Sequence, residues 1–153
     1  MADTRWLSED EQVSWRAYLT SSLLLHDRLN RELQASYGLT MADYEILVRL
    51  SEAPLRRIRM TELAQLVLSS KSRLSHQITR MEHAGLVRRQ ECDDDRRGFF
   101  AVLTEEGWQR LVAAAPTHVE GVRRHLVDQM TPAQFHALGQ ACTKVADHLL
   151  ATD

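Results

Sequence analysis

Cysteine is scarce in this chain, and long apolar runs and catalytic signatures are missing. Two cysteines, Cys92 and Cys142, stand fifty residues apart among 153. That count and spacing supply neither a disulfide framework nor a zinc knuckle, and the pair reads as a loop thiol and a core thiol. The seven histidines, at 26, 76, 83, 118, 125, 136 and 148, form no HExxH-like pair, so no metal is expected. No GxSxG and no glycine-rich phosphate loop occurs, which argues against an enzyme and against a bound cofactor. No eighteen-residue apolar run is present, so no membrane span is expected. The opening "MADTRWLSEDEQ" has neither the basic nor the apolar region of a secretory leader, and a cytoplasmic protein is expected.

What the chain does hold is an uneven distribution of charge. The formal net charge is only -2. Residues 56 to 89, however, carry Arg56, Arg57, Arg59, Lys71, Arg73, Arg80, Arg88 and Arg89 against Glu62 and Glu82. Eight cations against two acids give +6 there and leave 11 against 19, or -8, elsewhere. A basic centre in acidic surroundings is the footprint of an anion-binding surface, unless it is merely a solvated face.

Periodicity places mostly helices along the chain. Ser8 and Glu11 have the spacing of a capping box, and Trp15, Leu19, Ser22, Leu25, Leu29 and Leu33 continue a stripe to about Tyr37, where Gly38 offers a stop. Thr40 caps a second helix with Tyr44, Leu47 and Val48 on one face, ended by Pro54. Residues 57 to 60 allow a short strand. Thr61 is positioned to cap a short helix, "ELAQLVL". After Ser69 and Ser70 a further helix runs to Gly85, with Leu74, Ile78 and Met81 turned inward and Lys71, Ser72, Arg73, Ser75, His76, Thr79 and Arg80 outward. Two short helices about a tight turn, the second polar and basic outside, form a helix-turn-helix.

"LVRRQE" at 86 to 91 and "FFAVLT" at 99 to 104 read as two strands joined by "CDDDRRG". A hairpin directly after a recognition helix is a wing. An arginine at its tip suits the minor groove, whose narrowness deepens the negative potential, and a neighbouring aspartate would fix its pose. Free, such a side chain loses about 1 to 2 kcal/mol of rotamer freedom on binding. Asp93 and Asp94 would repel phosphate and are expected to point away.

Beyond the wing, Thr104, Glu105 and Glu106 start a long helix that Pro116 should kink near residues 112 to 115. Thr131, Pro132 and Gln134 start the last helix. On it Phe135, Leu138, Cys142, Val145 and Leu149 step by three and four, a stripe suited to packing on other helices, within one chain or across two.

Asp95, Arg97 and, five residues on, Leu103 and Thr104 match the D-x-R-x5-L-T wing signature. With "SRLSHQITRMEHAGLVRR" at 72 to 89, the chain resembles the MarR family of winged helix-turn-helix transcriptional regulators over about residues 10 to 150. The resemblance implies a mostly α fold with a small β wing. Its winged helix-turn-helix region would span 40 to 104, and N- and C-terminal helices, at 8 to 38 and 105 to 151, would form a dimerisation region in which the first, fifth and sixth helices of two subunits intertwine.

It further implies a homodimer on a pseudo-palindromic double-stranded DNA operator, with half-sites roughly 34 to 36 Å apart. Ser72, Arg73 and His76, with Gln77 next, lie at the exposed start of the recognition helix and are expected at base edges. Ser69, Ser70, Lys71, Arg80 and Arg88 suit phosphates. Arg97, beside Asp95, is assigned to the minor groove, with Arg96 in reserve. Repression is the family default, and a small phenolic or anionic effector is implied. Trp15, Tyr18, His26, Tyr44 and Trp108 are candidates to line its pocket, or are simply core. The N-terminal cysteine of the family's peroxide sensors is absent, and Cys92 is either an oxidisable wing thiol or a bystander. A helical interaction module that binds no DNA is the competing assignment.

Overall fold

Short polar residues at fixed spacings start most of the helices. The computed structural model describes residues 4–152, apart from the side chain of Arg96. Ser8 donates its backbone N–H to Glu11 Oε2 at 2.8 Å, and Glu11 returns one to Ser8 Oγ at 3.2 Å, opening α1 (Glu9–Tyr37). Gly38, at φ +66°, ends that helix in the left-handed conformation that costs glycine nothing. Thr40 and Asp43 form a second reciprocal box, both bonds at 3.0 Å, at the start of α2 (Met41–Glu52). Thr131 and Gln134 form a third before α6 (Pro132–Thr152).

A 3-10 turn, Pro54–Arg56, leads from α2 into β1 (Arg57–Arg59) and α3 (Met60–Leu66). Thr61 does not cap α3 as its type suggests. The helix starts two residues earlier, with Arg59 at the cap position and no side-chain bond there. β1 pairs with β3 through Arg59 and Phe100, so the strand runs straight into the helix and leaves no room for a separate cap. Between α3 and α4 (Lys71–His83) the helix-turn-helix turn has no glycine; Leu68 takes the left-handed position instead, at φ +51°. Bonds from Leu68 N to Gln65 O and from Ser69 N to Ala64 O hold it, against a conformational cost on the order of 1 to 2 kcal/mol.

β2 (Val87–Cys92) lies one residue later than the sequence pattern suggests and β3 (Asp95–Leu103) starts four residues earlier, so only Asp93 and Asp94 remain between them. The sheet order is β1-β3-β2, all antiparallel, with an irregularity between Glu91 and Cys92. Thr104 then caps α5 (Glu105–His125), accepting from Gly107 N at 3.0 Å while its hydroxyl donates to Gly85 O at 2.6 Å. Gly107 is required there: a Cβ would come 2.0 Å from the Leu86 carbonyl oxygen. Pro116 lies inside α5, which is one helix from end to end.

The chain forms two compact units. One, Arg28–His118, has a single core in which Leu33, Leu39, Ile46, Leu47, Leu50, Leu63, Leu74 and Ile78 are fully buried. Each such side chain contributes about 1.5 to 3 kcal/mol of burial. This unit is wider than residues 40 to 104, because Leu29 and Leu33 of α1 are buried in it and Leu111 and Ala114 of α5 join its core. The other unit comprises the chain up to Asp27 and from Val119 onward. Among its described residues no large apolar side chain is buried. Trp15, Tyr18, Val145 and Leu149 are all more than half exposed. With Leu138 and Cys142 they line an apolar groove of about 480 Å³ within this unit.

The two cysteines have exchanged the environments their neighbours suggest. Cys92 is buried in β2, and Cys142 is exposed on α6. β2 runs through Cys92 and folds it under the hairpin, whereas the α6 stripe that carries Cys142 stays exposed among the described residues.

Candidate nucleic-acid interface

The outward face of α4 is set by what the inward face must bury. Leu74, Ile78 and Met81 are at most 2% exposed, so Lys71, Ser72, Arg73, Ser75, His76, Thr79 and Arg80 stand in solvent as their spacing predicts. Ser70 Oγ accepts from Arg73 N at 3.1 Å and fixes the start of the helix. Ser69 is half-buried in the turn. Gln77 is the exception among the residues expected at base edges. It is 8% exposed, and its Nε2 donates to Asp43 Oδ1 at 3.1 Å. Three residues after Leu74 and four before Met81, it belongs to the buried stripe, and only a carboxylate 34 residues away makes a polar side chain tolerable there. The 3-4 spacing was a signal that could have found it.

Asp43 joins two elements. Its Oδ2 closes the α2 capping box, while Oδ1 takes the Gln77 bond and lies 3.8 Å from Arg80. The recognition helix is thereby tied to the start of α2.

The cations divide into two groups. Arg56 lies 4.3 Å over the Trp108 ring and 3.8 Å from Glu105. Arg57 and Arg59 stack on Phe100 at 4.5 and 5.4 Å. Arg89 is wholly committed: its guanidinium pairs with Glu82 and donates to Thr79 Oγ1 at 3.2 Å, Ser75 O at 2.8 Å and Ser75 Oγ at 3.1 Å. Its backbone N–H adds a 3.1 Å bond to Glu82 Oε2. Lys71, Arg73, Arg88 and Arg97 are exposed, and none of their side chains has a bonding partner among the described residues. Strand alternation explains the contrast between neighbours, since Arg88 faces solvent while Arg89 turns back onto α4. Sequence reasoning missed the clamp because its two ends are set by tertiary packing.

In the wing the acids have separate tasks. Asp94 Oδ2 lies 3.2 Å from Arg59 Nη2, tethering the hairpin tip to β1. Asp95 Oδ1 accepts from the backbone N–H of Arg97 at 3.0 Å, so it sets the local turn rather than holding the guanidinium. Arg97 itself extends into solvent. The Arg96 side chain lies outside the described residues. Gly98 permits the close approach of the strands, for a Cβ there would meet Asp95 Oδ2 at 3.0 Å and Cys92 Sγ at 3.3 Å.

The aromatic candidates for an effector pocket lie in different surroundings. Trp15 and Tyr18 are neighbours, ring centroids 6.0 Å apart, on the apolar groove, and His26 is exposed on α1. Tyr44 is buried against His118, centroids 4.5 Å apart, and Trp108 lies under Arg56. Burial raises the Tyr44 hydroxyl pKa and lowers that of His118, whose buried Nδ1 has no hydrogen-bond partner among the described residues. Among the described residues no cluster of three metal-ligating side chains forms, and no helix is long and apolar enough to cross a membrane.

A model of the MarR family matches residues 39–99. AbsC, a MarR family transcriptional regulator from Streptomyces coelicolor, is 52% identical in structural alignment, with a TM-score of 0.92 over 97% of this chain and 99% of that one. Sco3205, a MarR family transcriptional regulator from the same organism solved in complex with DNA, is 46% identical, with a TM-score of 0.92 over 95% and 92%. The transcriptional regulator HosA of Escherichia coli is 36% identical over 78 residues, 51% of this chain and 56% of its own length. The chain thus spans little more than half of that curated relative.

Proposed function

The chain belongs to the MarR family of transcriptional regulators, and from that premise we propose that it is a sequence-specific repressor binding a pseudo-palindromic duplex operator as a homodimer. One observation carries the proposal: α4 offers Ser72, Arg73 and His76 to solvent without intramolecular partners, directly before a hairpin whose Arg97 is likewise free. Ser72, Arg73 and His76 are the base-reading residues. Gln77, being buried, supports the helix instead.

Ser69, Ser70, Lys71, Arg80 and Arg88 face phosphates, and Arg97 enters the minor groove. Lys71 and Arg88 are best supported in this, since both are unpaired, whereas Arg80 already lies near Asp43. Exposed apolar positions on α1 and α6 support the homodimer. A small phenolic or anionic effector acts by binding one of two DNA-competent or incompetent conformations more tightly. Trp15 and Tyr18, open on an apolar groove, support an aromatic site better than His26, Tyr44 and Trp108, two of which are already stacked.

The test is selection of bound sequences from a random duplex pool at moderate salt. The expected outcome is enrichment of a two-fold symmetric site. A folded, dimeric protein that enriches nothing would favour a dimeric interaction module over a regulator.

A further inference from the structure

A cleft of about 210 Å³ lies between the start of α4, the entry to α3 and the tip end of the wing. Its lining includes Arg59, Lys71, Arg89 and Arg97 against a single acid, Asp95. Lys71 and Ser75 are four residues apart on α4 and so share one helical face. The Lys71 ammonium has no partner among the described residues. Ser75 Oγ accepts from Arg89 Nη2 at 3.1 Å, which uses the oxygen and leaves the hydroxyl hydrogen to donate outward. Arg59 spends one N–H on Asp94 and rests on Phe100, so its remaining edge is held in place yet unused. Beneath them the Arg89 guanidinium is immobilised by α4.

Resting on the regulator reading above, we infer that this cleft seats one backbone phosphate of the operator, with Lys71, Ser75 and Arg59 donating to its two non-bridging oxygens. A phosphodiester is a tetrahedral monoanion, and an ammonium, a hydroxyl and a guanidinium edge are the donors it accepts best. Because Lys71 and Ser75 belong to the recognition helix and Arg59 is tethered to the wing tip through Asp94, one phosphate fixes both reading elements at once. Neither Ser75 nor Arg59 looks like a contact from sequence alone.

The experiment uses the selected operator and a series of duplexes each carrying one neutral methylphosphonate. Lys71→Met and Ser75→Ala are the variants, since both positions are exposed and Arg89 keeps its bond to the Ser75 carbonyl oxygen. Each variant is expected to weaken binding of the unmodified operator about tenfold. Both penalties are expected to vanish on the same modified duplex, because the shared phosphate is already neutral. Penalties masked at different positions, or a Ser75→Ala protein that binds as tightly as the parent, would overturn the site while leaving the regulator reading intact. A parent protein that binds no duplex would remove both. Free inorganic phosphate, titrated in parallel by calorimetry, separates the two sources of the anion: Ser75-dependent phosphate binding with unchanged operator affinity would overturn the assignment to DNA.

Discussion

Arg73 and Lys71 are two residues apart on one helix, with both side chains charged and unpaired, yet the proposal gives them different work. Arg73 presents a planar fork able to bind guanine bidentately, worth about 1 to 3 kcal/mol of discrimination. Lys71 offers a point charge beside the basic cleft. Arg73→Ala is therefore expected to relax sequence preference. Lys71→Ala should weaken all sequences alike and flatten the salt dependence of binding by about one unit of slope. Competition between operator and random duplex, repeated at several salt concentrations, separates them; indistinguishable variants would dissolve the division into base and phosphate contacts.

His118 gives a second test at this scale. Its folded pKa lies below the unfolded value, so near and below about pH 6.5 the unfolded chain holds more protons. Stability from this group is present above that pH and is lost as pH falls through the window down to the folded pKa. His118→Phe, which can keep the stack on Tyr44, should flatten the decline of melting temperature between pH 7.5 and 5; an unchanged decline would show that other groups cause it. The exposed side chains of α4 were legible because spacing alone decides which way each points. Gln77 was not weighed as core because its bond partner is distant in sequence, and the two cysteines exchanged places because burial there follows strand length and the uncovered α6 face.

Among the elements, α4 and β2 depend on one side chain. Arg89 draws Ser75, Thr79 and Glu82 of the helix onto the strand, and its removal leaves a half-buried Glu82 without its cation. Arg89→Met is expected to cost about 1 to 3 kcal/mol and to lower the melting temperature by roughly 5 °C or more. Thermal unfolding checks it, and an unaltered midpoint would mean that the clamp contributes nothing net. The wing gives the complementary case. Arg97→Ala removes no folded-state partner, so it should weaken operator binding substantially with the dimer and the melting temperature preserved. Equal affinities in a titration at fixed salt would take the wing out of the proposal. The capping boxes of Ser8 with Glu11 and of Thr131 with Gln134 were readable because both members lie within three residues, and at Thr40 the cap was read without its partner Asp43. The ends of β2 and β3 were not readable, because a tether from Arg59, 35 residues earlier, helps to set how far the hairpin runs.

For the whole molecule, the contrast between the units matters most. One has a closed core, while the other leaves Trp15, Leu23, Leu24, Val145, Leu149 and Leu150 open, an arrangement that a second copy would resolve. Leu149→Glu, at a position already exposed in the single chain, should leave the winged unit folded, shift the sedimenting species to monomer and abolish tight operator binding. A dimer of undiminished strength would place the interface elsewhere. The family signature suggested this assembly, which remains part of the proposal, whereas the breadth of the winged unit was not readable, since Leu29, Leu33, Leu111 and Ala114 lie in helices whose other ends belong elsewhere.

Finally, Lys71, Arg73, Arg88 and Arg97 are unengaged cations on α4 and the wing of a chain whose residues outside 56 to 89 sum to -8. That imbalance acts before any contact forms. In the DNA-binding role proposed above, a duplex approaching α4 and the wing is drawn in, while the net negative charge of the remaining residues disfavours other approaches, so the molecule would be turned toward its target during diffusion. Productive encounters become a larger share of collisions, and the time spent searching shortens although the bound complex gains nothing.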